Sequence, residues 1–314
     1  MSRSLIFIIS ILVFISIFFA SFFIFRTSFQ NSNSNSQSNL KSENKLKITT
    51  SFYALQQISS QVAGEKAEVI SITPAGMEAH DFVPTAQDRV LIEESDLFVF
   101  QGSDFDPWAQ KIAEDKKVKE SLEFSTGVKF LEVSDSAQNE EETDPHIWLN
   151  PIIVKTQSQN ILQKLKQIDP NNSGEYEKNY QDFAKSLEDL DKSYKVQLSS
   201  CKRDTIVVSH NAYSYLSDAY KFKTKAIQGL STLDSPTTSQ IAEIISFINR
   251  EKIKYIMLEE VVSNSVVNQV KAQTKVEFLP LSPLESVDEE NQSQTYEEAM
   301  KKNLGNLRIA LECN

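Results

Sequence analysis

Apolar positions along this chain follow two alternating rhythms. Short runs rich in β-branched and aromatic residues occur at 47–52, 68–72 and 96–100, the length and composition of strands buried on both faces. Between the first two, Leu55, Ile58, Ser59 and Val62 stand at helical spacing. The series resumes with a strand at 205–209, a helix through Tyr213, Leu216 and Tyr220, and a strand at 255–258. Before that last strand Ile241, Ile244, Ile245 and Ile248 recur at i, i+3, i+4 and i+7, downstream of Pro236, and mark an amphipathic helix. Strands that alternate with helices in this way pair in parallel, with helices on both faces of the sheet. The expected fold class is therefore α/β, with two parallel-sheet lobes at 47–155 and 204–314.

Linker helices are expected between them, at 156–203. From 173 to 198 there is no Pro and only Gly174, while Tyr176, Tyr180, Phe183, Leu187, Leu190 and Tyr194 keep a 3–4 spacing. A helix of that span is ~38 Å long at ~1.5 Å per residue, enough to run along both lobes as one stiff backbone. Near the start, residues 5–25 follow Arg3 without a single charge, and all but Ser10, Ser16, Ala20 and Ser21 are large and apolar. Such a run can cross the ~30 Å core of a bilayer and exceeds the ~7–15 apolar residues usual in a cleaved signal peptide. Residues 1–29 are read as an N-terminal transmembrane anchor, with a signal peptide as the alternative. The Asn/Ser-rich stretch within 30–46 cannot bury enough apolar area to offset its ordering entropy, and reads as a disordered tether.

Composition narrows the function. The chain has 314 residues, 40% of them hydrophobic, so a sizeable core is within reach. Its formal charge of -11, with no long basic run, argues against nucleic acid as a partner. No Gly-x-x-x-x-Gly-Lys phosphate loop is present. Cys201 and Cys313 form no Cys-x-x-Cys pair. Outside the membrane they can form a disulfide, and two buried thiols are equally compatible with their spacing.

The chain holds 3 histidines. His80 lies in the turn-rich Pro74-Ala-Gly-Met-Glu-Ala-His-Asp-Phe-Val-Pro84, after the strand at 68–72, and His210 directly follows the strand at 205–209. His146 lies in Asp144-Pro-His-Ile-Trp-Leu-Asn-Pro151. Ligands of open α/β sheets collect outside the strands' carboxyl ends, so imidazoles from two lobes can meet in the cleft between them. The ordinary alternatives are exposed turn residues for His80 and His146 and a helix cap for His210. Imidazole suits zinc, copper, nickel and iron, whereas manganese, magnesium and calcium favour oxygen. Three imidazoles with an open position fit Zn²⁺ best. Asp144, Glu259 and Glu260 are candidates to hold the second ring nitrogens.

At these residues the chain resembles the metal-specific solute-binding proteins of ABC importers, a family of zinc-binding periplasmic and manganese-binding surface-anchored proteins. The likeness runs from Lys47 to Leu311 and includes Thr49-Thr-Ser-Phe-Tyr53 and Val208-Ser-His-Asn-Ala-Tyr213. Its most specific element is Asp144-Pro-His-Ile-Trp-Leu-Asn-Pro151. The resemblance implies two Rossmann-like lobes joined by one long helix, a metal buried between them, and His80, His146 and His210 as its first three ligands. Manganese-preferring members commonly carry Glu at the third of these positions, so His210 favours Zn²⁺ over Mn²⁺. Where many members carry a ligating Asp, this chain has Ser282, within Leu279-Pro-Leu-Ser-Pro-Leu284. The fourth position is then left to water or to a nearby carboxylate such as Glu285 or Glu78, ahead of Ser282 itself. Zinc-type members often carry a His-rich loop where this chain has the acidic stretch 134–144, read here as a solvated loop.

The resemblance implies an extracytoplasmic protein, which the apolar run would anchor to the outer face of the membrane, or which is periplasmic if the N-terminal segment is cleaved, and a monomer is expected. It would bind a divalent metal ion and deliver it to an ABC permease whose cytoplasmic ATPase is a separate chain. Alternatives are a manganese- or iron-binding paralogue and a surface adhesin of the same family. A zinc hydrolase also fits three His and a bound water, but the chain lacks a general-base motif such as His-Glu-x-x-His.

Overall fold

The computed structural model describes residues 45–80, 82–102, 105–134, 141–230, 236–259 and 265–314. The expected anchor, most of the tether, Glu260 and residues 135–140 of the acidic stretch lie outside the described residues. In chain order the first half carries β1 (Leu46–Thr50), α1 (Tyr53–Ala63), β2 (Ala67–Ser71), α2 (Ala86–Glu94), β3 (Leu97–Phe100), α3 (Pro107–Ala113) and β4 (Ser121–Glu123). An antiparallel hairpin, β5 (Leu131–Ser134) and β6 (Glu141–Asp144), leads into α4 (Pro151–Ile168) and α5 (Ser173–Gln197). The second half carries β7 (Thr205–Val208), α6 (Ser214–Tyr220), β8 (Lys223–Ala226), α7 (Thr238–Glu251), β9 (Tyr255–Leu258), α8 (Ser265–Ala272), β10 (Glu277–Pro280) and α9 (Tyr296–Ala310).

Both four-stranded sheets are wholly parallel, in the orders β2-β1-β3-β4 and β10-β9-β7-β8. In each, the chain leaves its first strand for one side and later returns on the other, so strand order reverses at β1/β3 and at β7/β9. Crossovers that diverge at such a point leave a crevice at the carboxyl ends of the strands.

Local chemistry sets the helix starts. Reciprocal capping boxes open α2 (Thr85 with Asp88), α7 (Thr237 with Gln240) and α9 (Thr295 with Glu298), each satisfying backbone donors that have no partner within the helix. Asn150 caps α4, and Pro151 follows where its missing N–H costs nothing. The long helix α5 buries Tyr176, Tyr180, Phe183, Leu187, Leu190 and Tyr194 against α4, α1 and α9. Each such side chain is worth about 1.5–3 kcal/mol when fully buried. Asn179 Nδ2 donates to Val62 O (3.3 Å) and Tyr194 Oη to Met300 O (2.6 Å), tying α5 to α1 and to α9. One apolar cluster runs from Ile48 and Leu55 through Trp148 and Leu187 to Val208 and Leu307, so the two sheets share a core.

Some elements differ from their sequence reading. The strand expected at 47–52 ends at Thr50, because Ser51 and Phe52 already turn the chain into α1. The strands β4, β5, β6, β8 and β10 are about as long as β3, β7 and β9 but carry fewer apolar residues, so no apolar run marks them in the sequence. In β10, Pro280 sits at the sheet edge, where a strand can lack an N–H without breaking the ladder. Cys201 and Cys313 are joined as a disulfide. Among the described residues no helix is long and apolar enough to cross a membrane.

Candidate metal centre

Four chain segments end on one point. His80 stands in the turns beyond β2, and His146 two residues beyond β6. His210 stands two residues beyond β7, and Glu285 follows β10. One ligand atom from each of these residues lies within 4.8 Å of every other. His80 Nε2 is 3.3 Å from His146 Nε2 and 3.6 Å from a Glu285 oxygen. The other Glu285 oxygen is 3.0 Å from His146 Nε2 and 3.4 Å from His210 Nε2. Four donors at ~2.0–2.1 Å from a tetrahedral zinc ion stand about 3.3 Å apart, and these separations bracket that edge.

Two of the three second ring nitrogens are spoken for. Asp144 Oδ1 lies 2.7 Å from His146 Nδ1 and also accepts the His146 backbone N–H at 2.8 Å. Glu259 Oε1 meets His210 Nδ1 and accepts from Ser209 Oγ at 3.0 Å. A hydrogen donated from Nδ1 to a carboxylate turns the Nε2 lone pair toward the cluster. His146, His210, Asp144 and Glu285 are essentially sealed from solvent, and His80 keeps 11% of its side-chain surface. Phe105 packs on His80 with ring centroids 4.4 Å apart, and Trp148 on His146 at 5.1 Å, which keeps the surroundings apolar.

Charge and burial pull against each other here. Burial pushes the His80 pKa down to about 4, against the pull of Glu285. For His146 and His210 burial acts in the same direction, but Asp144 and Glu259 respectively, with Glu285, carry the balance upward, well above the usual value for His210. Burial would raise the Glu285 pKa, yet the three imidazoles hold it well below the carboxylate range. Glu78 is pushed up to about 10 by burial and by the neighbouring Glu285 charge.

Among the described residues, His210 Nε2, both Glu285 oxygens and Glu78 Oε1 are buried without a hydrogen-bond partner. The close approaches to Glu285 lack hydrogen-bond alignment. A buried polar atom left in that state costs about 1–3 kcal/mol, more if charged, so several converging on one point are costly unless a cation satisfies them. The donor set of three imidazole nitrogens and one carboxylate suits Zn²⁺ better than Mn²⁺.

The remaining sequence candidates have other surroundings. The Ser282 hydroxyl accepts from Leu284 N at 3.2 Å. Glu78, half-buried, stands beside Glu285 and outside the cluster. Of the carboxylates left open for the fourth place, Glu285 is the one in the cluster. Leu284, in the left-handed region at φ 58, turns the chain immediately before it.

A family profile described as "Zinc-uptake complex component A periplasmic" matches residues 48–310. The zinc-binding lipoprotein AdcA of Streptococcus pneumoniae is 33% identical over 280 residues, covering 85% of this chain and 56% of that protein. The chain thus spans little more than half the length of that relative. The high-affinity zinc uptake system protein ZnuA of Bacillus subtilis is 28% identical over 282 residues, covering 85% of this chain and 88% of that one. Among solved structures, the Zn(II)-bound ZnuA-like domain of Streptococcus pneumoniae AdcA superposes with a TM-score of 0.74 at 31% identity. That match covers 86% of this chain and 100% of the domain.

Proposed function

The chain belongs to the family of periplasmic zinc-uptake complex component A proteins, and from that membership we propose that it captures Zn²⁺ outside the cytoplasm for an ABC importer. The observation that carries the proposal is the convergence of His80, His146, His210 and Glu285 to within 4.8 Å, with buried donor atoms that no hydrogen bond satisfies. His80, His146 and His210 would each give Nε2 to the ion and Glu285 a carboxylate oxygen. Asp144 and Glu259 would orient two of the rings.

The ion is cargo, and the protein carries out no bond chemistry on it. A permease would take the metal from the site, powered by a cytoplasmic ATPase that is a separate chain. The apolar run at 5–25 supports anchoring to the outer face of the membrane by residues 1–29, with a monomeric body beyond the tether. The ion would sit between a lobe at 47–155 and a lobe at 204–314, with linker helices 156–203 joining them. The named relatives support Zn²⁺ as the metal, and three imidazoles disfavour Mn²⁺.

Metal analysis and chelator competition on the purified chain, parent beside His146→Ala, tests the proposal. The parent should hold one equivalent of Zn²⁺ and the variant should lose it. Stoichiometric zinc retained by His146→Ala would overturn the assignment of the site.

A further inference from the structure

The stretch that brings Glu285 to the centre is gripped on both sides of that residue. The second sheet's hydrogen bonding ends with Leu281 N donating to Leu258 O at 2.9 Å. Around and beyond that point the chain reads Pro280-Leu-Ser-Pro283, and four consecutive carbonyls each accept from a different side chain. Pro280 O accepts from Asn306 Nδ2 (2.7 Å) and Leu281 O from Tyr213 Oη (2.6 Å). Ser282 O accepts from Asn303 Nδ2 (2.7 Å) and Pro283 O from Trp148 Nε1 (2.7 Å). Asn303 Oδ1 also accepts from Ser282 N at 2.9 Å, and past the ligand Val287 O accepts from Gly76 N at 2.8 Å.

The origin of these donors matters more than their number. Trp148 lies two residues after His146, Tyr213 three after His210, and Gly76 four before His80. Each histidine-bearing segment therefore holds the main chain on one side or the other of Glu285, and α9 holds it from behind. Pro280 and Pro283 fix their own φ and keep Leu279 and Ser282 out of helical conformations, which leaves few rotations free. The ligand atoms need such restraint. His210 Nε2 and the two Glu285 oxygens stand at the centre without hydrogen bonds of their own, so their positions depend on the backbone that carries them.

We infer that residues 280–287 form a rigid frame that sets the spacing of all four ligands, with Trp148 and Tyr213 as positioning residues. Neither side chain is a ligand. Each fastens a histidine segment to the segment of Glu285, so the tetrahedral spacing is built before the ion arrives. The inference rests on the metal-binding reading proposed above, and specifies what holds that site in shape.

Tyr213→Phe removes only the hydroxyl, whereas Trp148→Phe removes the N–H and also leaves a cavity in the core, so Tyr213→Phe is the cleaner of the two. Zn²⁺ affinity of the full chain should fall about 10–100-fold in each, the range for partners that orient a ligand. The visible bands of bound Co²⁺ should weaken or shift as the tetrahedron distorts. Tyr213→Phe should cost much less when Glu285→Gln is already present, because the frame acts through that ligand. Parental affinity and parental Co²⁺ bands in both Phe variants would overturn the inference, as would an undiminished loss in the Glu285→Gln background. Should Trp148→Phe fail to fold, Tyr213→Phe carries the test alone. Zinc retained by His146→Ala would instead remove the site itself, whereas zinc lost there but unaffected in both Phe variants would remove only the frame.

Discussion

Asp144 and Glu259 do more than aim two imidazoles, because their charges decide what those rings carry when no ion is bound. Burial alone would favour neutral rings, but the adjacent carboxylates and Glu285 raise both pKa values, and that of His210 goes well above the usual range. A ring protonated without the ion must shed that proton to become a ligand, so affinity rises with pH. Zn²⁺ binding should therefore weaken as pH falls below these raised values, beginning above the ordinary ~6.5, by up to about tenfold per pH unit for each ring. His80, with its pKa near 4, is already neutral in that window and should add no inflection there. Calorimetry in buffers of different ionisation enthalpy counts the protons released. Binding that releases none between pH 6 and 7 would contradict the assignment.

Among the elements, α1 and α5 are joined by a hydrogen bond close to the end of α1. Gly64 closes α1 at φ 57 and ψ -143, a conformation L side chains rarely adopt. A Cβ there would stand 2.4 Å from Asn179 Nδ2, the amide that donates to Val62 O. Gly64→Ala must then accept a strained backbone and displace the contact that seats the long helix. We expect a loss of about 1–3 kcal/mol, read as a lower midpoint in urea with an unchanged slope. A midpoint within error of the parent would show that neither the Gly64 conformation nor the Asn179 contact contributes measurably to stability.

At the scale of the molecule, Cys201 just precedes β7 and Cys313 just follows α9, so the disulfide closes a span of 112 residues that contains the whole second sheet. Cross-linking a span of this length restricts the unfolded chain, and removing such a bond typically costs about 2–5 kcal/mol. Replacing both cysteines by Ser should lower the unfolding free energy by that amount in guanidinium titrations. Parent protein with both thiols demonstrably reduced should match the double variant. Equal stability of the oxidised and reduced forms would mean that the shared core alone holds the second sheet closed.

Much of this protein is written locally. The strand at 255–258 follows from its short apolar run and the long helix from its periodicity, since both depend on residues within a turn or two of each other. The three histidines were legible for the same reason, as each stands beside a strand end or a turn that its neighbours announce. Folding decided the rest. That Glu285 stands in the cluster, while Ser282 caps its own turn, depends on the positive φ of Leu284 and on Trp148 and Tyr213, which reach across 135 and 68 residues of chain. The Cys201–Cys313 bond was likewise open in the sequence, because no spacing reveals a Cα approach. A hydrogen bond between residues so far apart leaves no period for a sequence reading to find, and becomes visible only once packing has brought both ends to the same place.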